Sequence, residues 1–215
     1  MKTTSPTRGL NRLITDSFGR VARGYDTPLL QHMVYRPPQD QVIAELRAAG
    51  SRRIADIGCG TGILTTRILR ELEPEQIFGI DASPGMLAQA RTRSTRVTWM
   101  QSPAERLPFG DEALDAVVTT SAFHFFDQPA ALAEFARVLA PGGLVAVSTV
   151  NPSGHLASPV RQLTRTTLSP YHAPSPSEVR NMVRVAGFEV SDQRRIHRPL
   201  PRWLIPDVIT VGRKR

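Results

Sequence analysis

The chain has 215 residues, 40 % of them hydrophobic, one cysteine, and a formal charge of +8 from 27 basic and 19 acidic side chains. That length suits a single domain with a sizeable core, and no apolar run approaches the roughly 20 residues needed to cross a bilayer. A lone cysteine excludes an intramolecular disulfide framework and fits a reducing cytoplasm.

Residues 1–15 are polar, and residues 1–7 carry no apolar signal-peptide core. Phe18, Val21, Ala22, Tyr25, Leu29 and Leu30 then recur at helical spacing, which predicts a short amphipathic helix or helix pair. Pro37-Pro38 opens a second helix that runs to about Ala49, with Gly50 to close it. Residues 53–57 form a buried strand leading into Gly58-Cys59-Gly60-Thr61-Gly62, and a helix follows over 61–72. The spacing is G-x-G-x-G, with Ile63 where a dinucleotide fingerprint would need its third glycine. The next strand, 76–81, ends in Asp81, nineteen positions after Gly62 and placed to accept from a ribose diol.

Further strands are predicted near 97–101, 114–119 and 143–149, and helices near 84–93 and 129–139. Pro141-Gly142-Gly143 ends one element and starts the next. Asn151 to Ser177 is rich in Pro, Ser and Thr and reads as a substrate-side insertion. Glu178 to Ala186 is a helix closed by Gly187, and Phe188 to Ile196 with Val208 to Gly212 makes a final strand pair. Strands alternating with helices imply right-handed crossovers and a parallel, doubly wound sheet with helices on both faces. The five histidines are scattered without metal-ligand spacing, so no metal is expected.

Five stretches carry a resemblance: Asp56 to Gly62; Gly79-Ile80-Asp81-Ala82-Ser83-Pro84-Gly85-Met86-Leu87; Ala104-Glu105-Arg106-Leu107-Pro108-Phe109; Leu114-Asp115-Ala116-Val117-Val118; and Arg137-Val138-Leu139-Ala140-Pro141-Gly142-Gly143. In this order the chain resembles the class I S-adenosylmethionine-dependent methyltransferases over about half its length. The likeness is to the small-molecule branch that includes ubiquinone and menaquinone biosynthesis enzymes. The resemblance implies a Rossmann-like seven-stranded sheet, mostly parallel with an antiparallel C-terminal strand. It also implies one domain, with an N-terminal helical lid over 1–50, a cofactor core over 51–150, the insertion over 151–177, and a closing helix and strand pair over 178–215.

The cofactor so implied is S-adenosyl-L-methionine, with S-adenosyl-L-homocysteine as product. Asp56 would organise the turn and hold the methionine end. Gly58, Gly60 and Gly62, with Cys59 between them, would let main chain lie against the ligand. Asp81 would accept from the ribose hydroxyls, although an acid there can also cap the following helix, as can Ser83. Ala82 and Met86 would touch the adenine, and Ser121 stands at the end of the fourth strand among them. Arg20 and Tyr25 lie in a segment similar to a lid over the methionine end. The pattern departs from the family at Pro103, which stands where relatives carry an Asp that bonds the adenine amino group. Proline offers neither that acceptor nor an N–H. Adenine recognition then falls to the Ala104 N–H with Glu105 or Ser102.

His124 follows the fourth strand, where the transferred methyl should emerge, and is the candidate general base; lining the pocket is the alternative. Phe123, Phe125 and Phe126 can enclose an apolar acceptor. Charge divides unevenly: residues 1–53 carry nine basic and four acidic side chains, 54–150 seven and eleven, and 151–215 eleven and four. Basic flanks around an acidic core favour an anionic acceptor, or else place arginines on solvated faces. A small, apolar or aromatic, anionic acceptor is therefore expected, and nucleic acid is not. Many base-modifying relatives grip a flipped base with an Asn/Asp-Pro-Pro-Tyr-like motif after the fourth strand. This chain has Thr119-Thr120-Ser121-Ala122-Phe123-His124 there. The alternatives are a nucleic-acid methyltransferase and a non-catalytic binding protein of the same fold.

Overall fold

A computed structural model of the chain describes residues 35–150, 174–197 and 207–215. Its strands are β1 (Arg53–Ile57), β2 (Gln76–Asp81), β3 (Thr98–Gln101), β4 (Leu114–Thr120), β5 (Leu139–Val150), β6 (Phe188–Arg195) and β7 (Asp207–Lys214). Its helices are α1 (Arg36–Ala49), α2 (Ile63–Leu72), α3 (Pro84–Arg93), α4 (Gln128–Val138) and α5 (Pro176–Val185), with a 3-10 turn at Phe123–Phe125. The strands form one sheet in the order β3-β2-β1-β4-β5-β7-β6. β1 to β5 run parallel, and β7 inserts antiparallel between β5 and β6. This is the doubly wound, mostly parallel sheet expected, and none of the described helices is long and apolar enough to cross a membrane.

Local chemistry explains the boundaries. Prolines occupy the first turn of α1, α3, α4 and α5, where a missing N–H costs nothing. Ser83, Asp127 and Ser175 cap α3, α4 and α5 by accepting from the main chain, and Ser175 with Glu178 completes a capping box. Gly50 closes α1 in the left-handed region. Both faces of the sheet are covered, so β1, β4 and β5 read as near-continuous apolar runs. On one face Phe123, Leu132, Phe135, Val179, Val183 and Phe188 pack on Val117 and Val145. On the other, Val42, Ile43 and Leu46 of α1 join Leu64 and Ile68 of α2 over Ile54, Val118 and Ala146. α1 therefore packs in the core, although it falls within the segment expected to be a lid.

One boundary differs from expectation. β5 was expected over 143–149, but Leu139 already pairs with Leu114. Pro141-Gly142-Gly143 then loops out, and pairing resumes at Leu144 with Ala116. α2 begins at Ile63 rather than 61, because Gly62 at φ +79° is its N-cap.

Candidate active site

The parallel strands all end at one edge of the sheet, where ligands of this architecture bind. At that edge the glycine turn is strapped to the tip of β2. The Gly58 and Cys59 N–H groups both donate to the Ile80 carbonyl, at 2.8 and 3.0 Å. Gly62 N–H donates to the Cys59 carbonyl at 3.0 Å, and Arg93 Nε reaches over from α3 to the Thr61 carbonyl at 2.7 Å.

The three glycines answer different needs. A Cβ at Gly58 would lie 2.4 Å from the Ala122 Cβ, and one at Gly62 2.4 Å from the Trp99 ring. Those two are excluded by packing. A Cβ at Gly60 would meet nothing within 4 Å, so its side of the turn faces open space at φ +56°.

Asp81 stands beside that space. Its Oδ2 accepts from Gly60 N–H and its Oδ1 from Ser83 N–H, both at 2.8 Å. Ser83, not Asp81, caps α3, so the capping alternative for Asp81 falls away. Each carboxylate oxygen keeps a lone pair for a further donor, and burial raises the carboxyl above its ordinary range. Asp56 is 1 % exposed. Its Oδ2 accepts from the Thr65 hydroxyl at 2.6 Å. Burial, more than the nearby Asp81 charge, pushes it up to about 7. Cys59 is buried between them and its thiol is pushed well up, which makes it an inert space-filling residue.

The loop after β3, expected from the sequence to face the adenine, lies beside the tip of β2. Ser102 N–H donates to the Asp81 carbonyl at 3.2 Å, and Arg106 N–H to the Pro103 carbonyl at 3.3 Å. Ser102 Oγ donates to the Arg106 carbonyl at 2.5 Å, and Glu105 Oε1 accepts from Asp127 N–H at 2.7 Å. Those two side chains brace the loop and the start of α4. Ala104 and Met86 are buried and Ala82 is exposed, with its carbonyl accepting from Gln101 Nε2 at 3.1 Å.

At the end of β4, Ser121 sits at φ +57°, a conformation that costs a non-glycine residue about 1–2 kcal/mol. Its N–H donates to the Ser148 carbonyl at 3.2 Å. The 3-10 turn that follows carries His124, 8 % exposed, with its ring centroid 4.0 Å from that of Phe125. Phe123 and Phe126 meet edge to face at 6.1 Å. Burial pushes the His124 imidazole down to about 4, so it is neutral at pH 7.

The fold thus brings Asp56, the glycine turn, Asp81, Ala82, Met86, Ala104, Glu105, Ser121 and His124 to one edge. Arg20 and Tyr25 lie outside the described residues. Three participants had no place in the sequence reading: Thr65, Arg93 and Trp99. Thr65 had a signal, a hydroxyl at an apolar position between Leu64 and Ile68. Arg93 and Trp99 had none, because their contacts cross from α3 and β3.

Known proteins share this fold. Residues 55–147 match the methyltransferase domain family. A methyltransferase of Mycobacterium tuberculosis is 36 % identical over 59 % of this chain and 49 % of its own. A malonyl-[acyl-carrier protein] O-methyltransferase of Hahella chejuensis is 33 % identical over 68 % of this chain and 55 % of its own. The chain spans about half the length of these curated relatives. Among solved structures, an S-adenosylmethionine-dependent methyltransferase of Thermotoga maritima superposes with a TM-score of 0.70 and 25 % identity, covering 92 % of this chain and 98 % of that one.

Proposed function

Because the chain belongs to the class I S-adenosylmethionine-dependent methyltransferases, we propose that it transfers a methyl group to a small, apolar or aromatic acceptor bearing negative charge. The observation that carries the cofactor side is Gly60: its left-handed backbone turns an open flank toward the pocket, next to a carboxylate with lone pairs to spare. That donor and acceptor set fits the cofactor. Asp81 would take the ribose hydroxyls, and Met86 and Ala82 would flank the adenine, with the Ala104 N–H at its edge. Asp56 would set a negative potential under the methionine end.

When bound, the cofactor supplies a methyl group on a sulfonium, which is a good leaving group. The protein's part is alignment and exclusion of water. His124 would line the acceptor side as a neutral imidazole. Burial opposes the imidazolium, so the residue is a weak proton acceptor, and an acceptor that arrives already ionised needs no base. The name of the Hahella relative, which gives a malonyl group as acceptor and oxygen as acceptor atom, supports an anionic acceptor.

Isothermal titration with S-adenosylmethionine, S-adenosylhomocysteine and NAD tests the cofactor side. Both sulfur nucleosides should bind and NAD should not. Gly60→Val should abolish binding by placing a side chain on the open flank of the turn, and because the left-handed φ strains a valine there, a thermal melt of the variant checks that it is folded. Asp81→Ala should weaken binding by about 1–3 kcal/mol, the cost of unpaired buried polar groups. Unchanged isotherms for both variants would refute the assignment.

A further inference from the structure

Strand order fixes the direction in which a nucleoside ligand lies across this edge. Along the sheet the order runs β3, β2, β1, β4. Asp81 ends β2, the glycine turn follows β1, and His124 with its aromatic neighbours follows β4. A methyl donor with its ribose on Asp81 and its sulfur toward the turn after β4 sends its base the opposite way, over β3 and the loop behind it. That loop is fastened in place: Ser102 N–H donates to the Asp81 carbonyl at 3.2 Å, and Gln101 Nε2 to the Ala82 carbonyl at 3.1 Å.

The side chains of the loop are already committed elsewhere. Ser102 Oγ donates to the Arg106 carbonyl. Glu105 is turned toward α4, where its Oε1 accepts from Asp127 N–H at 2.7 Å, and Asp127 itself caps that helix. The other two acids between β3 and β4 are Asp111 and Glu112, which pair with Arg137 and Lys214. Among the described residues, every carboxylate of this loop is thus engaged away from the base. Pro103 stands between Ser102 and Ala104, exposed, with its carbonyl accepting from Arg106 N–H. Its ring offers neither an acceptor nor an N–H.

Adenine is set apart from other purines by the amino group at its 6-position. A buried acceptor aimed at such a group makes recognition strict, because an analogue lacking it leaves the acceptor unpaired and is rejected by roughly 10⁴–10⁵-fold. Beside an exposed proline the amino group keeps its water instead, and removing it costs little. On the cofactor reading above, we infer that this chain leaves the purine 6-position unread and open to solvent, with Pro103 as the residue that sets this tolerance. It therefore takes sulfonium cofactors whose purine is unsubstituted or N-alkylated at that position, and its selectivity rests on the ribose and the methionine end.

The test compares three thioethers by isothermal titration: S-adenosylhomocysteine, the same molecule with unsubstituted purine in place of adenine, and its N6-methyl derivative. On the wild-type chain all three should bind within about threefold of one another. Pro103→Asp places a carboxylate beside the 6-position. There the unsubstituted purine should fall behind S-adenosylhomocysteine by about tenfold, the worth of a hydrogen bond to a charged acceptor. A thermal melt checks that the variant is folded, and the wild-type comparison needs no variant. A larger loss of either analogue on the wild-type chain overturns the inference and leaves the cofactor reading intact. A folded Pro103→Asp that binds the two purines alike overturns it as well. Failure of all three thioethers to bind overturns the cofactor reading and this inference with it.

Discussion

Burial gives His124 a pH signature. In the unfolded chain an imidazole takes its proton near pH 6.5, and in the fold only at about 4. Between those values the unfolded state binds more protons. The stability His124 contributes is complete above pH 6.5 and is lost as pH falls through 4. Replacing it with the non-titrating His124→Gln should flatten that part of the acid limb, by on the order of 3 kcal/mol at full extent. Denaturant melts of both proteins at pH 4, 5, 6 and 7 measure it, and parallel limbs would contradict the burial argument. The Asp56 contribution has the opposite slope: its folded pKa is raised, so it is most favourable below the ordinary carboxylate range and declines as pH rises through about 7.

Among the elements, the loop between β3 and β4 is tied to α4 through Arg137 and Glu134. Arg137 donates to the Leu107 and Phe109 carbonyls, pairs with Asp111 and lies against Glu134, whose Oε1 in turn accepts from Leu107 N–H. Pairing with Glu134 and Asp111 holds the guanidinium firmly charged. Since this loop begins at Ser102 and carries Ala104, loosening it should disturb the adenine side. Arg137→Ala is expected to lower stability by about 1–3 kcal/mol and to raise the Kd for S-adenosylhomocysteine several-fold. An unaltered melt and isotherm would show that the loop is held by its apolar contacts instead.

Such a tether was not legible in the sequence, because Arg137 and Leu107 are thirty positions apart and nothing local links them. β1, β2 and α3 were legible to the residue, since each is bounded by its own signals: Gly58 after β1, Asp81 and Ser83 around the β2 end, Pro84 opening α3. The start of β5 was not. Pro141-Gly142-Gly143 reads locally as a break, and only the pairing of Leu139 with Leu114 carries the strand back past it. At the site, the turn and Asp81 could be read from spacing. The Asp56–Thr65 bond could not, because it needs the angle at which α2 leaves the turn.

Taken whole, the molecule sets an acidic cofactor core between basic flanks, with a formal balance of about −4 over residues 54–150 against about +5 and +7 on either side. A methyl acceptor bearing carboxylate, phosphate or phenolate is drawn toward such flanks, and that attraction is screened over roughly 10 Å at 0.1 M salt. Radiomethyl transfer across a panel of phenols, acyl carboxylates, cationic amines and RNA should favour the small anions. Their KM should rise with ionic strength while kcat holds. Preference for a cationic amine would remove the charge argument, and efficient labelling of RNA would replace the small-molecule reading.

The ring of Trp99 fills the space that side chains at Gly62 and Gly79 would need, and its Nε1 donates to the Ser94 carbonyl at 3.0 Å. An indole wedged beneath the glycine turn is a built-in optical reporter. The sequence has one other tryptophan, Trp203, so Trp203→Phe leaves Trp99 as the single emitter. Any ligand that draws the turn inward alters the polarity around that ring, and its emission should shift as S-adenosylhomocysteine is added, following the same isotherm as the heat. The shift should vanish in Gly60→Val. Movement of the turn could then be followed in a stopped-flow cell without a label, and its rate separated from the rate of transfer.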